Sequence, residues 1–309
     1  SKDRVTPRCS VARQCGGCQI QCLSYEEQLK FKQNKVYNNL VRIGGQDDFV
    51  MKDIIGMEEP FNYRNKAQFP VGIDKEGNIV SGFYAGRTHS IIGIDSCDLG
   101  LKLDGRDINK EVMDIVKKFM TKYQIEPYNE VTHKGLVRHV LIRIGAKTKQ
   151  IMVCIIINGR KLPNKDELVE KLCKLEGMHS VSLNINTNKS NVILGSKIIN
   201  LYGPGYIEDY IGDVKFRISP LSFFQVNPVQ TEKLYNKALE YADLSGNEIV
   251  WDLYCGIGSI SLFLAKKAKK VLGVEIVPEA IEDARLNAKI NKIDNSEFFV
   301  GAAEDVVTE

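Results

Sequence analysis

The stretch Val250–Gly258 reads VWDLYCGIG, an apolar strand pattern that runs directly into Gly-x-Gly. Glycines in such a turn let the backbone bend sharply and approach a ligand closely. On both sides of it the sequence alternates between helix and strand patterns, which predicts a parallel sheet covered by helices. The predicted elements are helix Pro228–Tyr241, strand Glu248–Leu253, helix Ser259–Lys269, strand Lys270–Ile276, helix Pro278–Asn291 and strand Glu297–Val300.

An acidic residue, Glu275, ends the next predicted strand, about 20 residues after the loop, where a carboxylate can accept both hydroxyls of an adenosine ribose. Nicotinamide cofactors and S-adenosylmethionine both use this geometry. Asp252 favours the second, because it precedes the glycines where it can face a cationic ligand. The loop also lacks the third glycine that brings a pyrophosphate onto a helix N-terminus. Cys255 is interpreted as a small packing residue of the cofactor cleft rather than as a nucleophile.

Residues 53–220 show many short strand patterns without a repeating strand–helix–strand rhythm, which predicts an α+β region with mostly antiparallel pairing. Its predicted strands are Lys66–Ile73, Val80–Ala85, Ser90–Ile94, Val137–Ile144, Gln150–Ile157, Ser180–Ile185, Asn191–Leu194 and Tyr206–Ile218, and its predicted helices are Leu103–Tyr123 and Lys165–Leu175. A further helix is predicted over residues 24–43, capped by Ser24, with Leu29, Val36, Leu40 and Ile43 on one face.

Four of the eight cysteines lie within the first 22 residues, as Cys9-x5-Cys15-x2-Cys18 followed by Cys22. Such crowding favours metal binding over disulfides in a chain that carries no secretory signal. Zinc sites usually use two Cys-x2-Cys pairs, and only one is present, so an iron–sulfur cluster is favoured over zinc. The spacing leaves the fourth ligand open between Cys22 and Cys97. Cys154, in the apolar run IMVCIII, is predicted to be a buried thiol, as is Cys173.

The totals exclude some classes of protein and leave others open. The 309 residues include 43% hydrophobic and 26% charged residues, and the net charge of +3 gives no global sign of a nucleic-acid partner. No apolar run approaches the roughly 20 residues that span a membrane, so we expect no membrane contact and a cytoplasmic location. The sequence does not begin with Met, which is consistent with a piece of a longer protein.

The order of the motifs resembles that of the bacterial RNA (uracil-5-)-methyltransferases, in particular the iron–sulfur members that act on large-subunit (23S) ribosomal RNA. The resemblance covers nearly the whole chain. Its motifs are Cys9-x5-Cys15-x2-Cys18, Tyr63-Arg64-Asn65-Lys66, Leu136-Val137-Arg138-His139, Asn191-Val192-Ile193-Leu194-Gly195, Phe223-Phe224-Gln225-Val226-Asn227 and Asp252-Leu253-Tyr254-Cys255-Gly256-Ile257-Gly258.

The resemblance implies a [4Fe–4S] cluster and an S-adenosyl-L-methionine site. The cluster ligands would be Cys9, Cys15, Cys18 and Cys97, with Cys22 left out. Gln225, Tyr254 and Glu275 would touch S-adenosyl-L-methionine at the turn formed by Gly256 and Gly258. Residues 1–22 and 53–220 would form a central domain that holds the cluster and binds RNA. Residues 23–52 and 221–309 would form a discontinuous Rossmann-like methyltransferase domain, in a protein that is monomeric at full length.

The sequence also departs from the family. The family's small N-terminal RNA-binding β-barrel would end before residue 1, and its Asp-Pro-Pro-Arg motif, nucleophilic Cys and general-base Glu would lie beyond Glu309. We therefore expect a methyltransferase domain truncated after its third strand, with an unpaired edge at Glu248–Leu253. No catalytic residue is expected in this chain, which alone would be inactive.

The function implied is methylation of uracil C5 in 23S ribosomal RNA. The alternatives are methylation of a tRNA uridine, a non-catalytic cluster-bearing RNA-binding module, and a zinc protein with a nucleotide-cofactor reductase domain. Cations could position RNA phosphates, and aromatic side chains could stack on splayed bases. The candidate RNA contacts are Arg64, Lys66, Arg87, Arg138, His139, Arg143, Tyr63, Phe83 and Tyr84.

Overall fold

The computed structural model describes residues 2–306, whose strands form a seven-stranded sheet, a three-stranded sheet and a two-stranded hairpin. The strands are β1 (Lys66–Ile73), β2 (Ile79–Tyr84), β3 (Ile91–Gly93), β4 (Val137–Ile144), β5 (Ile151–Ile157), β6 (Met178–Ile185), β7 (Lys197–Tyr202), β8 (Ile207–Ile211), β9 (Val214–Ile218), β10 (Ile249–Asp252), β11 (Lys270–Glu275) and β12 (Ser296–Val300). The helices are α1 (Tyr25–Asn38), α2 (Ile108–Lys122), α3 (Lys165–Cys173), α4 (Pro228–Ala242), α5 (Ser259–Ala265), α6 (Pro278–Ile290) and α7 (Ala303–Val306).

The large sheet has the strand order β3-β2-β1-β4-β5-β6-β7 and is antiparallel except between β5 and β6. The predicted antiparallel pairing is therefore confirmed, and α3 supplies the crossover that the parallel pair needs. Helix α2 presents Val112, Val116 and Phe119 to one face of the sheet. The helix begins at Ile108 rather than at Leu103, because Asp107 caps it by accepting a hydrogen bond from Lys110 N–H.

The large sheet forks between β1 and β2. Strand β1 pairs with β2 only through Val71–Ile73, whereas Lys66–Pro70 pairs with β4 on the other side. The remaining part of β2 is bonded by other partners: Gly16 N–H donates to the carbonyl of Tyr84 at 2.9 Å. The cysteine-rich loop consequently docks at the open end of this fork.

The small sheet is parallel, in the order β10-β11-β12, with α5 and α6 packed against it. The predicted parallel sheet covered by helices is confirmed. Within residues 2–306, β10 pairs only with β11 and forms one edge of the sheet. The predicted truncation itself stays a prediction, and the last three residues of the predicted 221–309 segment lie outside the described residues.

The hairpin β8–β9 packs between the two sheets. Phe216 of β9 is fully buried in a core that includes Leu141 of β4 and Ile281 of α6. The backbone N–H of Arg217 donates to Asn287 of α6 at 2.8 Å. The hairpin therefore joins the large sheet to the helices of the small one.

Several local predictions are wrong. The predicted strand Tyr206–Ile218 is the hairpin β8–β9, because the chain turns at Gly212, where φ is 60°. Cys173 is half-buried rather than buried. Residues 191–194 form no strand, because the carbonyls of Val192 and Ile193 accept hydrogen bonds from the Asn186 side chain instead of from a strand partner. The strand that does form there, β7, lies after Gly195 and was missed.

The predicted apolar face of the first helix is not buried. Helix α1 has no buried residue, Ile43 is 83% exposed, and Val36 and Leu40 are exposed too. Residues 39–43 form a π-helical turn rather than a continuation of the α-helix. Periodicity predicted the helix, but within residues 2–306 only Leu29 of that face is half-buried, beside Gly56. Separately, no helix in the described part of the chain is long and apolar enough to cross a membrane.

Candidate functional site

The turn between β10 and α5 has the left-handed backbone that its glycines allow. Gly256 has φ 53° and Gly258 has φ 78°. A Cβ on Gly258 would stand 3.1 Å from the Phe298 ring, whereas a Cβ on Gly256 would meet nothing within 4 Å. Gly258 is thus required for packing as well as for the turn, and Gly256 borders open space where a ligand can approach.

Glu275, at the end of β11, is held against this turn by two backbone donors. The N–H of Gly256 donates to one carboxylate oxygen at 3.2 Å, and the N–H of Val277 donates to the other at 3.1 Å. Each carboxylate oxygen has a further lone pair, so the group can still accept hydrogen bonds from hydroxyls. The predicted acid therefore lies beside the glycine turn.

Asp252 lies at the end of the neighbouring strand β10 and accepts a hydrogen bond from the Ser261 hydroxyl. Burial raises the pKa of this carboxyl, and the charge of Glu275 raises it further. Neither carboxylate forms a salt bridge within residues 2–306. Two uncompensated acids at one sheet edge attract a cation. The sulfonium and ammonium groups of S-adenosylmethionine fit this charge better than a pyrophosphate does.

Gln225 and Tyr254 approach the turn from different parts of the chain. Tyr254 is 81% exposed on the loop and is free to contact a ligand. Gln225 is half-buried and lies near Tyr235 of α4, whose hydroxyl is 2.8 Å from that of Ser259. The predicted cofactor residues are thus grouped around the carboxyl ends of β10 and β11 and the start of α5.

The connecting segment, residues 221–227, links this region to the large sheet through contacts that sequence reasoning missed. Asn65 donates twice to the segment: its backbone N–H to the carbonyl of Val226 at 3.0 Å, and its side-chain amide to the carbonyl of Gln225 at 3.1 Å. The buried guanidinium of Arg143 donates to the carbonyl of Ser222, whose hydroxyl donates to Asp283 of α6 at 2.8 Å. The motif YRNK contains Asn65, but no sequence pattern pairs it with residue 225.

Cys255 is a poor candidate nucleophile in this geometry. It is buried, and burial together with the nearby acids Asp252 and Glu275 raises the pKa of its thiol to about 12. A thiol with so high a pKa carries almost no thiolate at neutral pH. Its sulfur lies where a Cβ on Gly273 would meet it at 3.0 Å, as expected for a packing residue.

Cys9, Cys15, Cys18 and Cys97 line one small cavity of about 20 Å³, which Phe83, Ile94 and Leu99 close with apolar surface. Burial, and then the proximity of Cys97, Cys15 and Cys9, raise the pKa of Cys18 to about 11. Cys22 is not among the lining residues. Within residues 2–306, no group of three or more His, Cys, Asp or Glu side chains is arranged to hold a metal ion.

The candidate RNA contacts differ in how far they are buried. Arg138, His139 and Arg143 are buried, so the prediction that they meet RNA phosphates is wrong for the two arginines: Arg138 donates to the carbonyls of Asn186, Asn188 and Ser190, and Arg143 to that of Ser222. They satisfy backbone carbonyls that lack strand partners. Arg64 and Arg87 are exposed, and the remaining candidates, Lys66, Tyr63, Phe83 and Tyr84, are half-buried.

A family model and sequence relatives match this chain. The sequence model described as tRNA (uracil-5-)-methyltransferase matches residues 105–308. The chain is 51% identical over its whole length to an uncharacterized RNA methyltransferase of Clostridium tetani and 50% identical, over 98% of its length, to one of Bacillus cereus. It spans only 66% and 65% of the lengths of these two relatives.

A solved structure is also similar. The tRNA (uracil-54, C5)-methyltransferase of Pyrococcus abyssi, determined in complex with S-adenosyl-L-homocysteine, matches with a TM-score of 0.76 and 29% sequence identity. The match covers 93% of this chain and 65% of that chain.

Proposed function

The chain belongs to the tRNA (uracil-5-)-methyltransferase family, and from that premise we propose that it carries the S-adenosyl-L-methionine site of an enzyme that methylates uracil C5 in RNA. One observation carries the proposal. The carboxylates of Glu275 and Asp252 end the neighbouring strands β11 and β10 at the glycine turn, and neither forms a salt bridge within residues 2–306, which suits a ribose-bearing sulfonium. S-adenosyl-L-homocysteine in the similar Pyrococcus abyssi enzyme supports the same cofactor.

The chemistry needs two groups besides the cofactor. Uracil C5 is a poor nucleophile, so a thiolate adds to C6 and C5 then attacks the sulfonium methyl. A base removes the C5 proton, and the thiolate leaves as the 5–6 double bond forms again. The thiols of Cys255 and Cys154 are unsuited, because burial raises the pKa of each to about 12. We expect the nucleophile and the base to lie outside residues 2–306.

For the substrate, we propose large-subunit ribosomal RNA, as the resemblance to the iron–sulfur members implies. Methylation of a tRNA uridine is the second candidate, and the description of the Pyrococcus abyssi enzyme favours it. The distinguishing experiment incubates the full-length protein with radiolabelled S-adenosyl-L-methionine and either unmodified 23S RNA or unmodified tRNA. Label in 5-methyluridine from only one RNA selects that substrate. Absence of label in both, with cofactor binding intact, would refute the proposed function.

We also propose that Cys9, Cys15, Cys18 and Cys97 bind a [4Fe–4S] cluster. Support comes from the apolar cavity that these four thiols share and from the effect of three of them on the pKa of Cys18. A cube binds one thiolate per iron, so its ligands stand further apart than those of one metal ion, in keeping with the lack of a single-ion site in the described chain.

The cluster is tested by iron and sulfide analysis of anaerobically purified protein. Absorbance at about 400 nm is expected for the wild type and for Cys22→Ser, but not for Cys97→Ser. Equal absorbance in the two variants would contradict the ligand assignment. Zinc instead of iron in the wild type would contradict the cluster itself.

A further inference from the structure

A second pocket, of about 390 Å³, occupies the fork between β1 and β2. We call it the fork pocket. Its walls come from the diverging ends of both strands, from the cysteine-rich loop and from Val226 of the connecting segment. Because β1 pairs with β2 only through Val71–Ile73 and the residues before Val71 diverge from β2, the opening is built into the sheet rather than left by a loose surface loop.

The fork pocket has a cationic end without an acid. Arg64 and Lys66 line it, and no Asp or Glu is among its lining residues in the described chain. Lys66 is half-buried, and burial, followed by the charges of Arg143 and Arg64, lowers the pKa of its ammonium to about 8. Cys15, Cys18 and Cys97 also line the pocket, so a cluster bound to their thiolates would offset part of this positive charge, and a bound anion would offset the remainder.

The other end of the pocket offers a flat apolar wall with polar groups. Phe83, Tyr84 and Pro70 supply the apolar surface. His139 is only 3% exposed and its Nδ1 has no hydrogen-bond partner among residues 2–306, while its Nε2 lies 3.5 Å from the Tyr84 hydroxyl. Burial lowers the pKa of His139 to about 4, so its ring is neutral at pH 7. The Oδ1 of buried Asn109, which also lines the pocket, likewise has no partner there.

We propose that the fork pocket binds one unpaired nucleotide of the RNA substrate, with its phosphate at Lys66 and Arg64 and its base on Tyr84. A phosphodiester supplies an anion for Lys66 and Arg64, and a base supplies both a face for stacking and an edge for the unpartnered polar atoms. The site is separate from the cofactor turn. It rests on the proposed RNA substrate and specifies a second point at which the strand is held.

The experiment measures fluorescence anisotropy of labelled octauridylate and of an abasic octamer with the same backbone, using the full-length protein. Lys66→Met should weaken binding of both about tenfold and reduce the slope of log K against log salt by about one. Tyr84→Leu should weaken octauridylate about tenfold and leave the abasic octamer unchanged. Lys118→Met, which changes an exposed cation on α2, is the matched control and should change neither.

Two further readouts separate a folding defect from a binding role. Lys66→Met removes a half-buried ammonium that burial and the charges of Arg143 and Arg64 disfavour, so its urea midpoint should equal or exceed that of the wild type. Its absorbance at about 400 nm should also be retained. Lost absorbance with an unchanged salt slope would mean that Lys66 balances the charge of the cysteine site, and would overturn the proposal.

The proposal fails independently of the proposed function. Unchanged oligonucleotide binding in both variants, together with normal methyl transfer to RNA, would refute the fork pocket alone. Absence of methyl transfer by the wild type would refute the enzyme assignment. The anisotropy measurements would then still decide whether the fork pocket binds a nucleotide.

Discussion

Replacing Asn65 with alanine should loosen the connecting segment by a calculable amount. The side-chain hydrogen bond to the Gln225 carbonyl, at 3.1 Å, is lost. The bond from residue 65 N–H to the Val226 carbonyl, at 3.0 Å, is kept, because alanine retains its backbone donor. Asn65 is 4% exposed, so water cannot readily replace the lost donor. A buried acceptor left without its partner costs about 1–3 kcal/mol, and we expect a loss of about 2 kcal/mol in unfolding free energy.

Cofactor affinity should fall as well, because Gln225 reaches the cofactor region from the same segment. If about 1 kcal/mol of the loss falls on the bound geometry, the Kd for S-adenosyl-L-homocysteine rises about fivefold. Urea unfolding and isothermal titration of the full-length protein measure the two quantities.

The matched control is Asn38→Ala. It removes the same kind of bond, from a side-chain amide to the Asn34 carbonyl at 2.8 Å, but on the exposed surface of α1. Its effect on unfolding should stay within about 0.5 kcal/mol, with unchanged cofactor affinity. If Asn65→Ala matched this control in both measurements, the reasoning about the connecting segment would be refuted.

Three other outcomes are expected. Glu275→Gln should raise the Kd for S-adenosyl-L-homocysteine at least about tenfold in the same titration, since an amide places a donor against one of the backbone N–H groups that now bind the carboxylate; an unchanged Kd would remove Glu275 from the site. Gly258→Ala should lower the unfolding free energy by about 2–4 kcal/mol, because the new Cβ would press on Phe298. Gly256→Ala, whose Cβ would face open space, should lower it by only about 1–2 kcal/mol. Equal urea midpoints for the two variants would contradict the packing role of Gly258. Between pH 6.5 and about 4, the unfolding free energy should fall by on the order of 2–3 kcal/mol because of His139. In the unfolded chain this residue takes up its proton near pH 6.5, whereas burial lowers its pKa in the folded protein to about 4. If a His139→Leu variant showed the same pH dependence in urea unfolding, His139 would be excluded as the cause of the loss.

Much of the local structure follows from short-range patterns. The alternation around VWDLYCGIG predicts the parallel sheet because a strand and its covering helix each bury apolar residues at a fixed period. Strands such as β1 and β4 were predicted with their exact bounds from β-branched and alternating residues. The failure at residues 191–194 has the same origin, since a strand pattern forms a strand only where a partner edge is available, and Asn186 occupies those carbonyls instead.

The sequence by itself determined the element types, the glycine turn with its following acid, and three of the four cysteines that share a cavity, because each is a pattern within about 25 residues. Spacing left the fourth cysteine open between Cys22 and Cys97, and the family resemblance alone selected Cys97, which the tertiary structure places in one cavity with Cys18. Only the tertiary structure joined Asn65 to Gln225 and buried Arg138 and Arg143 as donors to backbone carbonyls. These contacts join residues far apart in the chain. An arginine guanidinium can donate to an RNA phosphate, and it can equally donate to a backbone carbonyl that has no strand partner. Whether a given arginine contacts a phosphate or a carbonyl depends on how the sheet forks and packs, and the spacing of residues along the chain does not predict that.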